Sequence, residues 1–415
     1  MLNGVLSVNP RTGIKNEYIR KKIKMVQQKS YKFRIYPNKT QEVLLNKTFG
    51  CVRYAWNSWV SLFNNKEVEN KDKHYNTPKE FRQVLNWMQE ISSASLQQKE
   101  RDFISFKKQF FNKKRKKRLG SPSFKSKHKR QSYRLTNRRF AVLYEEKQIR
   151  LEKIGRVKAV FDRVIPEGVK FLNVTVSKDL CGSYFVSVLV EENIVAKAKT
   201  NKEVGIDVGL KNFAIMSSGE IVANPKFFRE NQSKLKRLQQ HFSRKVKGSA
   251  RRSKTKLKIA KLHRTIGRQR DYFLHCLSTY LVTNFDMIGI EDLNVSGMIK
   301  NHKLAKSIAD ASWSKFFSQL TYKSSWYGKE LVKIGRFFPS SKTCTVCGWR
   351  KSDLKLSDRE FICECCGVAE DRDINASKNI LKESVRVSTE LQTWRDRKTL
   401  SKASTASPCE ALKVL

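Results

Sequence analysis

Val204-Gly205-Ile206-Asp207-Val208-Gly209 sets a carboxylate in the middle of an apolar, strand-like run. Burying that group is costly unless it meets a cation or another partner. The same design recurs in Ile288-Gly289-Ile290-Glu291, a second hydrophobic strand that ends in an acid. A third acid stands in Asp371-Arg372-Asp373-Ile374-Asn375-Ala376, where Asp373 opens a helix. Asp207, Glu291 and Asp373 are therefore the candidate catalytic residues. Hard carboxylate oxygens suit Mg²⁺, and three acids from two strands and a helix can hold two such ions about 4 Å apart. Taken singly, each acid also reads as a cap or a surface ion pair, and Asp373 alone reads best as an N-cap. Together, in this order, they favour phosphodiester chemistry. Asp292 and Asp371 are neighbours easily mistaken for ligands.

Just ahead of the third acid come Cys344-Thr345-Val346-Cys347 and, after fifteen residues, Cys363-Glu364-Cys365-Cys366. Two CxxC knuckles at this separation match a four-thiolate zinc site. Cys363 with Cys366 restores the CxxC spacing, so the expected ligands are Cys344, Cys347, Cys363 and Cys366, with Cys365 as the odd thiol. Four thiolates leave no open position, so this zinc is expected to be structural. The bland reading is four reduced cysteines that bind nothing, and the paired spacing argues against it.

The chain has 415 residues, with 85 Lys and Arg against 38 Asp and Glu, a net charge of +47. Such a surplus seeks a polyanion, and nucleic acid leads. A membrane surface is the alternative, but there is no apolar run long enough to span a bilayer and no signal-peptide layout at Met1-Leu2-Asn3-Gly4. Nine cysteines, four at zinc spacing, indicate a reducing cytosol and not a disulfide scaffold. Residues 103–140 hold 15 Lys or Arg and no acid, and residues 231–270 repeat those counts. Aromatics interleave the first stretch, which suits phosphate contact with base stacking. For any one aromatic, packing into the chain's own core is the simpler reading.

Periodicity gives the organisation. Tyr31–Tyr36 alternates and ends at Pro37, which reads as a strand, with a cap at Asn38 or Thr40. Helical spacing follows over 41–64, from Pro78 and over 95–117. Period two returns at Phe140–Leu143, Val157–Val160, Leu172–Val176 and Tyr184–Val188, which predicts a small antiparallel barrel closed by the strand at 31–36. Residues 204–223 read as three short strands. Residues 231–270 read as a long basic helix or helical pair, 312–328 as an aromatic helix and 331–334 as a strand. The last helix is expected over about 373–383, followed by a disordered tail.

These motifs converge on a known family. The chain resembles TnpB, the RNA-guided DNA endonuclease of bacterial insertion sequences, long described as a transposase and related to the type V CRISPR effectors. The resemblance runs through most of residues 30–382. It rests on Tyr31–Pro37 with Trp56-Asn57, on Ser123-Phe124-Lys125-Ser126-Lys127, and on Gly205–Phe213. It continues in Gly289-Ile290-Glu291-Asp292-Leu293, Ser341-Lys342-Thr343-Cys344 and Asp371–Ala376. It implies an α+β multidomain chain: a RuvC-type, RNase H-like nuclease core with a zinc-knuckle insertion, and an N-terminal antiparallel β-barrel interrupted by a helical bundle. The implied units are a flexible basic extension (1–29), a first barrel strand (30–40), a helical recognition bundle (41–120) and the barrel (121–200). The nuclease core (201–341), zinc knuckle (342–367), final core segment (368–384) and disordered tail (385–415) follow.

By the same resemblance, a guide RNA from the transposon end pairs with target double-stranded DNA, while the protein reads a short flanking motif. Asp207, Glu291 and Asp373 fall on the family's catalytic positions. The expected activity is Mg²⁺-dependent cutting of both strands in turn at one site, by a monomer within a ribonucleoprotein. The expected setting is the cytoplasm of a bacterium or archaeon, near the nucleoid. Three other readings compete: a strand-transferring transposase, an RNA-guided binder that does not cut, and a ribosome-associated zinc protein. Motif order argues against the first and the intact acids against the second. The third leaves the acids unexplained.

Overall fold

The structure is a computed structural model that describes residues 24–405, apart from 68, 70, 71, 116, 117, 356 and 357. Strand β1 (Lys24–Tyr36) is followed by a helical insert of α1 (Lys39–Asn64), α2 (Pro78–Val84), a 3₁₀ turn (Asn86–Glu90) and α3 (Ser93–Phe110). Asn38 starts α1 with a capping box: its side chain accepts from the Gln41 N–H at 2.8 Å, and the Gln41 side chain accepts from the Asn38 N–H at 3.1 Å. Phe63, Phe103, Phe106 and Phe110 pack together inside this insert. Most aromatics of the first basic stretch are thus core, whereas Phe111 and Phe124 stay exposed.

Six further strands complete a sheet: β2 (Gln131–Thr136), β3 (Phe140–Leu143), β4 (Gln148–Leu151), β5 (Gly155–Val160), β6 (Lys170–Lys178) and β7 (Tyr184–Val195). Its order is β2-β6-β7-β1-β5-β4-β3, antiparallel throughout. The sheet is nearly closed, with its edge strands β2 and β3 joined by the 3₁₀ turn Asn137–Arg139. β1 therefore lies at the centre of this sheet and not at its seam. β1 also starts earlier than its side-chain pattern suggests, pairing with β7 from Lys24↔Val195 onward. Of the extension expected to be flexible, residues 24–29 belong to this strand, because ladder hydrogen bonds do not depend on side chains; residues 1–23 lie outside the described residues.

The second sheet holds β8 (Glu203–Val208), β9 (Asn212–Met216), β10 (Ile221–Ala223), β11 (Met287–Glu291) and β12 (Glu330–Ile334), in the order β10-β9-β8-β11-β12. β8, β11 and β12 run parallel, and β9 and β10 form an antiparallel flank. Between β10 and β11 lie α4 (Phe227–Glu230), α5 (Gln232–Ser243) and α6 (Ala250–Asn284), so the basic stretch is a helical pair whose second member runs past residue 270. Between β11 and β12 lie α7 (Val295–Met298), α8 (Ala305–Ala311) and α9 (Trp313–Tyr327). Leu274, Leu277 and Leu281 of α6 join Phe316 and Leu320 of α9 in one core with Val204, Ile206, Ile288 and Ile290.

After β12 come the short strands β13 (Glu360–Ile362) and β14 (Ala369–Asp371), then α10 (Arg372–Thr405). The last helix does not stop near residue 383: it continues to Thr405 through most of the stretch expected to be disordered. Ion pairs from Arg386 to Glu383 and Glu390, at helical spacing, support the extension. Ser388 also donates to Glu330 of β12 at 2.7 Å. Among the described residues, no helix is long and apolar enough to cross a membrane.

Candidate active site and metal centre

Alternation along β8 and β11 decides where the acids point. Val204 and Ile206 face the α6–α9 core, so Gly205 and Asp207 face the opposite side, as do Gly289 and Glu291. Gly205 and Gly289 are paired in register, Ile206 and Ile290 follow as the next pair, and Asp207 and Glu291 stand two residues beyond the glycines on the same face. Helix α10 lies directly on the two glycines. A β-carbon on Gly205 would meet the Ser377 carbonyl at 2.2 Å and the Leu381 N–H nitrogen at 2.5 Å, and one on Gly289 would meet the Ser384 hydroxyl at 2.2 Å. Only glycine permits this approach. The close contact brings the first turn of α10, with Asp373, to the ends of the two strands.

Asp371 caps α10: its carboxylate accepts from the N–H groups of Asp373 at 2.9 Å and Ile374 at 3.1 Å. The cap is thus Asp371 and not Asp373, whose carboxylate is left for the site. Asp292 is likewise engaged, with the Arg336 guanidinium at 2.6 Å. Burial, then the nearby charges of Glu291 and Asp373, push the Asp207 carboxyl up to about 8. Glu291 accepts from the Ser340 hydroxyl at 2.5 Å. Asp373 accepts from Arg372 at 2.9 Å, with Arg359 3.9 Å away. A buried carboxyl that keeps its proton beside two further acids is a donor that a hard divalent cation would relieve, so the residues fit such an ion.

The four cysteines picked out by spacing come together, with all their sulfurs within 4.8 Å of one another. The Cys344–Cys366 and Cys347–Cys363 separations are 3.7 and 3.5 Å. A tetrahedron with zinc–sulfur bonds of about 2.3 Å has edges of about 3.8 Å, so the cluster fits zinc. Cys365 is exposed and outside the group. The two knuckles share one geometry. The Gly348 N–H donates to the Cys344 carbonyl and the Gly367 N–H to the Cys363 carbonyl, both glycines having positive φ.

Sequence reading missed the latch between the two centres. Asn375 of α10 donates to the Thr343 carbonyl at 2.8 Å and accepts from the Thr345 N–H at 3.1 Å. Asn379 donates to the carbonyls of Ser340 and Thr343. Ser340 in turn holds Glu291, so the start of the cysteine segment, helix α10 and the acids are one hydrogen-bonded unit. The signal lay in Asp371–Ala376 and Ser341–Cys344, where Asn375 and Thr343 had no assigned role. Elsewhere, a groove of about 680 Å³ lies between α1, the β6–β7 turn and α6. Arg53, Lys127, Lys129, Lys178, Lys256 and His263 line it, a charge pattern suited to a polyanion.

A family model described as "Probable transposase" (OrfB_IS605) matches residues 185–302, and a "Cas12f1-like, TNB domain" model matches 313–380, which contains all four clustered cysteines. A "Helix-turn-helix domain" model of the same OrfB_IS605 group matches residues 25–65. A Streptomyces pristinaespiralis protein named "Putative RNA-guided DNA endonuclease" is 39% identical over 376 residues, which is 88% of this chain and 92% of the relative. The Escherichia coli K12 protein "Putative RNA-guided DNA endonuclease InsQ" is 31% identical over 86% of this chain and 92% of its own length. In fold, the chain is similar to a chain of the cryo-EM structure of the Cas12f1–sgRNA–target DNA complex, with a TM-score of 0.53 at 13% identity, covering 86% of this chain and 98% of that one. With identity this high over nearly the whole of both sequences, the chain belongs to the TnpB (OrfB_IS605) family.

Proposed function

We propose that this chain is an RNA-guided DNA endonuclease, with a RuvC-type, RNase H-like core that hydrolyses phosphodiester bonds at Asp207, Glu291 and Asp373. The observation that carries the reading is the seating of α10 on Gly205 and Gly289, beside a buried Asp207 whose carboxyl feels the charges of Glu291 and Asp373. The names carried by the curated relatives agree with it. Asp207, Glu291 and Asp373 would hold Mg²⁺. When bound, such ions supply an activated water and neutralise charge on the scissile phosphate and its leaving oxygen.

The chain's own residues preorganise this site. Ser340 fixes the direction of the Glu291 carboxylate, and Arg372 fixes that of Asp373. Asp207, between them, holds a proton in the metal-free state and gives it up when positive charge arrives. The cysteine cluster would hold a structural zinc, because its four thiolates leave no position for substrate. Guide RNA and target DNA are the proposed partners, and the basic groove between the helical insert and α6 offers them a path.

The test uses protein copurified with RNA transcribed from its own flanking DNA, incubated with a plasmid carrying the matching target beside a randomised flank. Mg²⁺-dependent double-strand cleavage at the matched site, abolished in Asp207→Ala, is the expected result. Tight target binding without cleavage would replace the reading with a guided binder. Joining of DNA ends to a new target would replace it with a strand transferase, the reading that the family model's "Probable transposase" description favours.

A further inference from the structure

A second cavity, of about 420 Å³, opens beside the acid cluster and has no part in the site described above. Leu210 lines it, three residues beyond Asp207, and three residues of chain reach at most about 10 Å. Five cations from three separate segments surround it: Lys211 from the β8–β9 turn, Lys226 and Arg229 from α4 and the residue before it, and Lys303 and Lys306 from the approach to and start of α8. Among the described residues, no carboxylate lies within salt-bridge distance of any of the five. Lys306 instead sits over the Phe228 ring, 5.4 Å from its centroid.

The one acid in the wall, Asp310, is already committed. Its two oxygens accept from the Phe228 N–H at 3.1 and 3.0 Å, and the Arg270 guanidinium sits 2.8 Å away. It braces α4 against α8 and leaves no carboxylate free to neutralise the lysines. The backbone also fixes the segment that bears Lys226. Lys226 is held in the left-handed region, at φ 49° and ψ 41°, which a lysine rarely adopts. Asn224 maintains it, accepting from the Lys226 N–H at 3.3 Å and donating to the Leu210 carbonyl at 3.0 Å. That bond ties the lysine-bearing segment to the loop that follows Asp207.

We propose that this cavity is a phosphate clamp, which grips the backbone of the DNA strand being led to Asp207, Glu291 and Asp373. Five like charges drawn around one concavity repel one another and are relieved by a polyanion. Lysines bind phosphate as point charges, without reading sequence. The inference rests on the endonuclease reading for its strand. The clamp is distinct from the carboxylates and acts by positioning, so it belongs to the cleavage step more than to target capture.

Lys303→Gln with Lys306→Gln is the informative variant, because both side chains are exposed and remote in sequence from the acids. Lys158→Gln with Lys199→Gln, exposed on other faces, removes the same charge as a control. In single-turnover cleavage the first variant is expected to lose on the order of tenfold or more in rate at unchanged target affinity, and the control to match wild type. A scan of the target strand with methylphosphonates, which lack the phosphate charge, should find a position that slows wild type but not the variant. Equal slowing of both proteins at every position, or equal rate losses in variant and control, would overturn the clamp. A separate arm measures binding of a short single-stranded DNA by Asp207→Ala protein. There the lysine pair should lower the slope of log affinity against log salt by about 1.4, two contacts at about 0.7 each for a single strand, and an unchanged slope counts against the clamp. If wild type cuts nothing while the slope still falls, the endonuclease reading fails and the anion site stands.

Discussion

At the scale of single residues, Asp207 shows how a buried carboxylate works against the fold that carries it. Its carboxyl, ordinarily near 3.8, is pushed up to about 8 by burial and by Glu291 and Asp373. Between those values the folded chain keeps a proton that the unfolded chain has released. Stability therefore falls as pH rises from about 4 to about 8 and stays low above that window. Asp207→Asn removes the effect without changing the shape of the side chain. In buffer free of divalent cations at pH 9, the variant should melt several degrees above wild type, and the two should converge near pH 4. Added Mg²⁺ should raise the wild-type melting temperature more than the variant's. A wild type as stable as Asp207→Asn at pH 9 without cations would refute this account. Asp207 and Glu291 were legible in sequence because a carboxylate inside or closing an apolar strand demands an explanation, and Asp373 because it opens a helix directly behind the paired cysteines. Ser340, Arg372 and Asn375 were not, because a polar residue in a loop or first helical turn has many ordinary uses and its partner lies far along the chain.

At the scale of elements, the contact between α10 and the β8–β11 pair decides whether there is a site at all. Backbone atoms of Ser377 and Leu381 occupy the place of a Gly205 side chain, and backbone cannot swing aside as a side chain can. Gly205→Ala should therefore displace α10, and Asp373 with it. Chemical denaturation should show a loss of about 1–3 kcal/mol or more, as for other overpacked sites, and cleavage should fall by orders of magnitude. Gly50→Ala is the matched control: it lies inside α1 with nothing within 4 Å of its added carbon. That change should be neutral or stabilising by up to about 1 kcal/mol, since alanine is the better helix former. Equal effects of the two substitutions would show that the close approach is not what sets the site. Sequence periodicity found the strands and helices of this region but not the reach of α10, whose distal part is mostly polar and whose few spaced apolar residues, such as Leu391 and Trp394, stay exposed. It also missed β4, which is four residues long, and β2, which buries only Tyr133 and Leu135. In strands that short the ladder and not the side-chain pattern defines the element.

At the scale of the whole molecule, the charge of +47 sets two responses to salt with opposite signs. Without nucleic acid, like charges repel across the compact fold, most strongly where basic side chains crowd the two cavities. Raising ionic strength from about 0.1 to about 1 M shortens the screening length from about 10 to about 3 Å, which weakens that repulsion. The RNA-free chain should therefore melt higher as salt increases. Bound RNA replaces the mobile counterions with a fixed polyanion, so the ribonucleoprotein should melt above the free chain at low salt. Its advantage should shrink as salt rises, because each phosphate contact then releases ions into a solution already rich in them. Differential scanning fluorimetry of both forms across the same salt series reads the two slopes directly. A free chain whose melting temperature falls with salt would mean that its surface ion pairs outweigh its net charge, and that the basic surface is balanced internally rather than waiting for a polyanion.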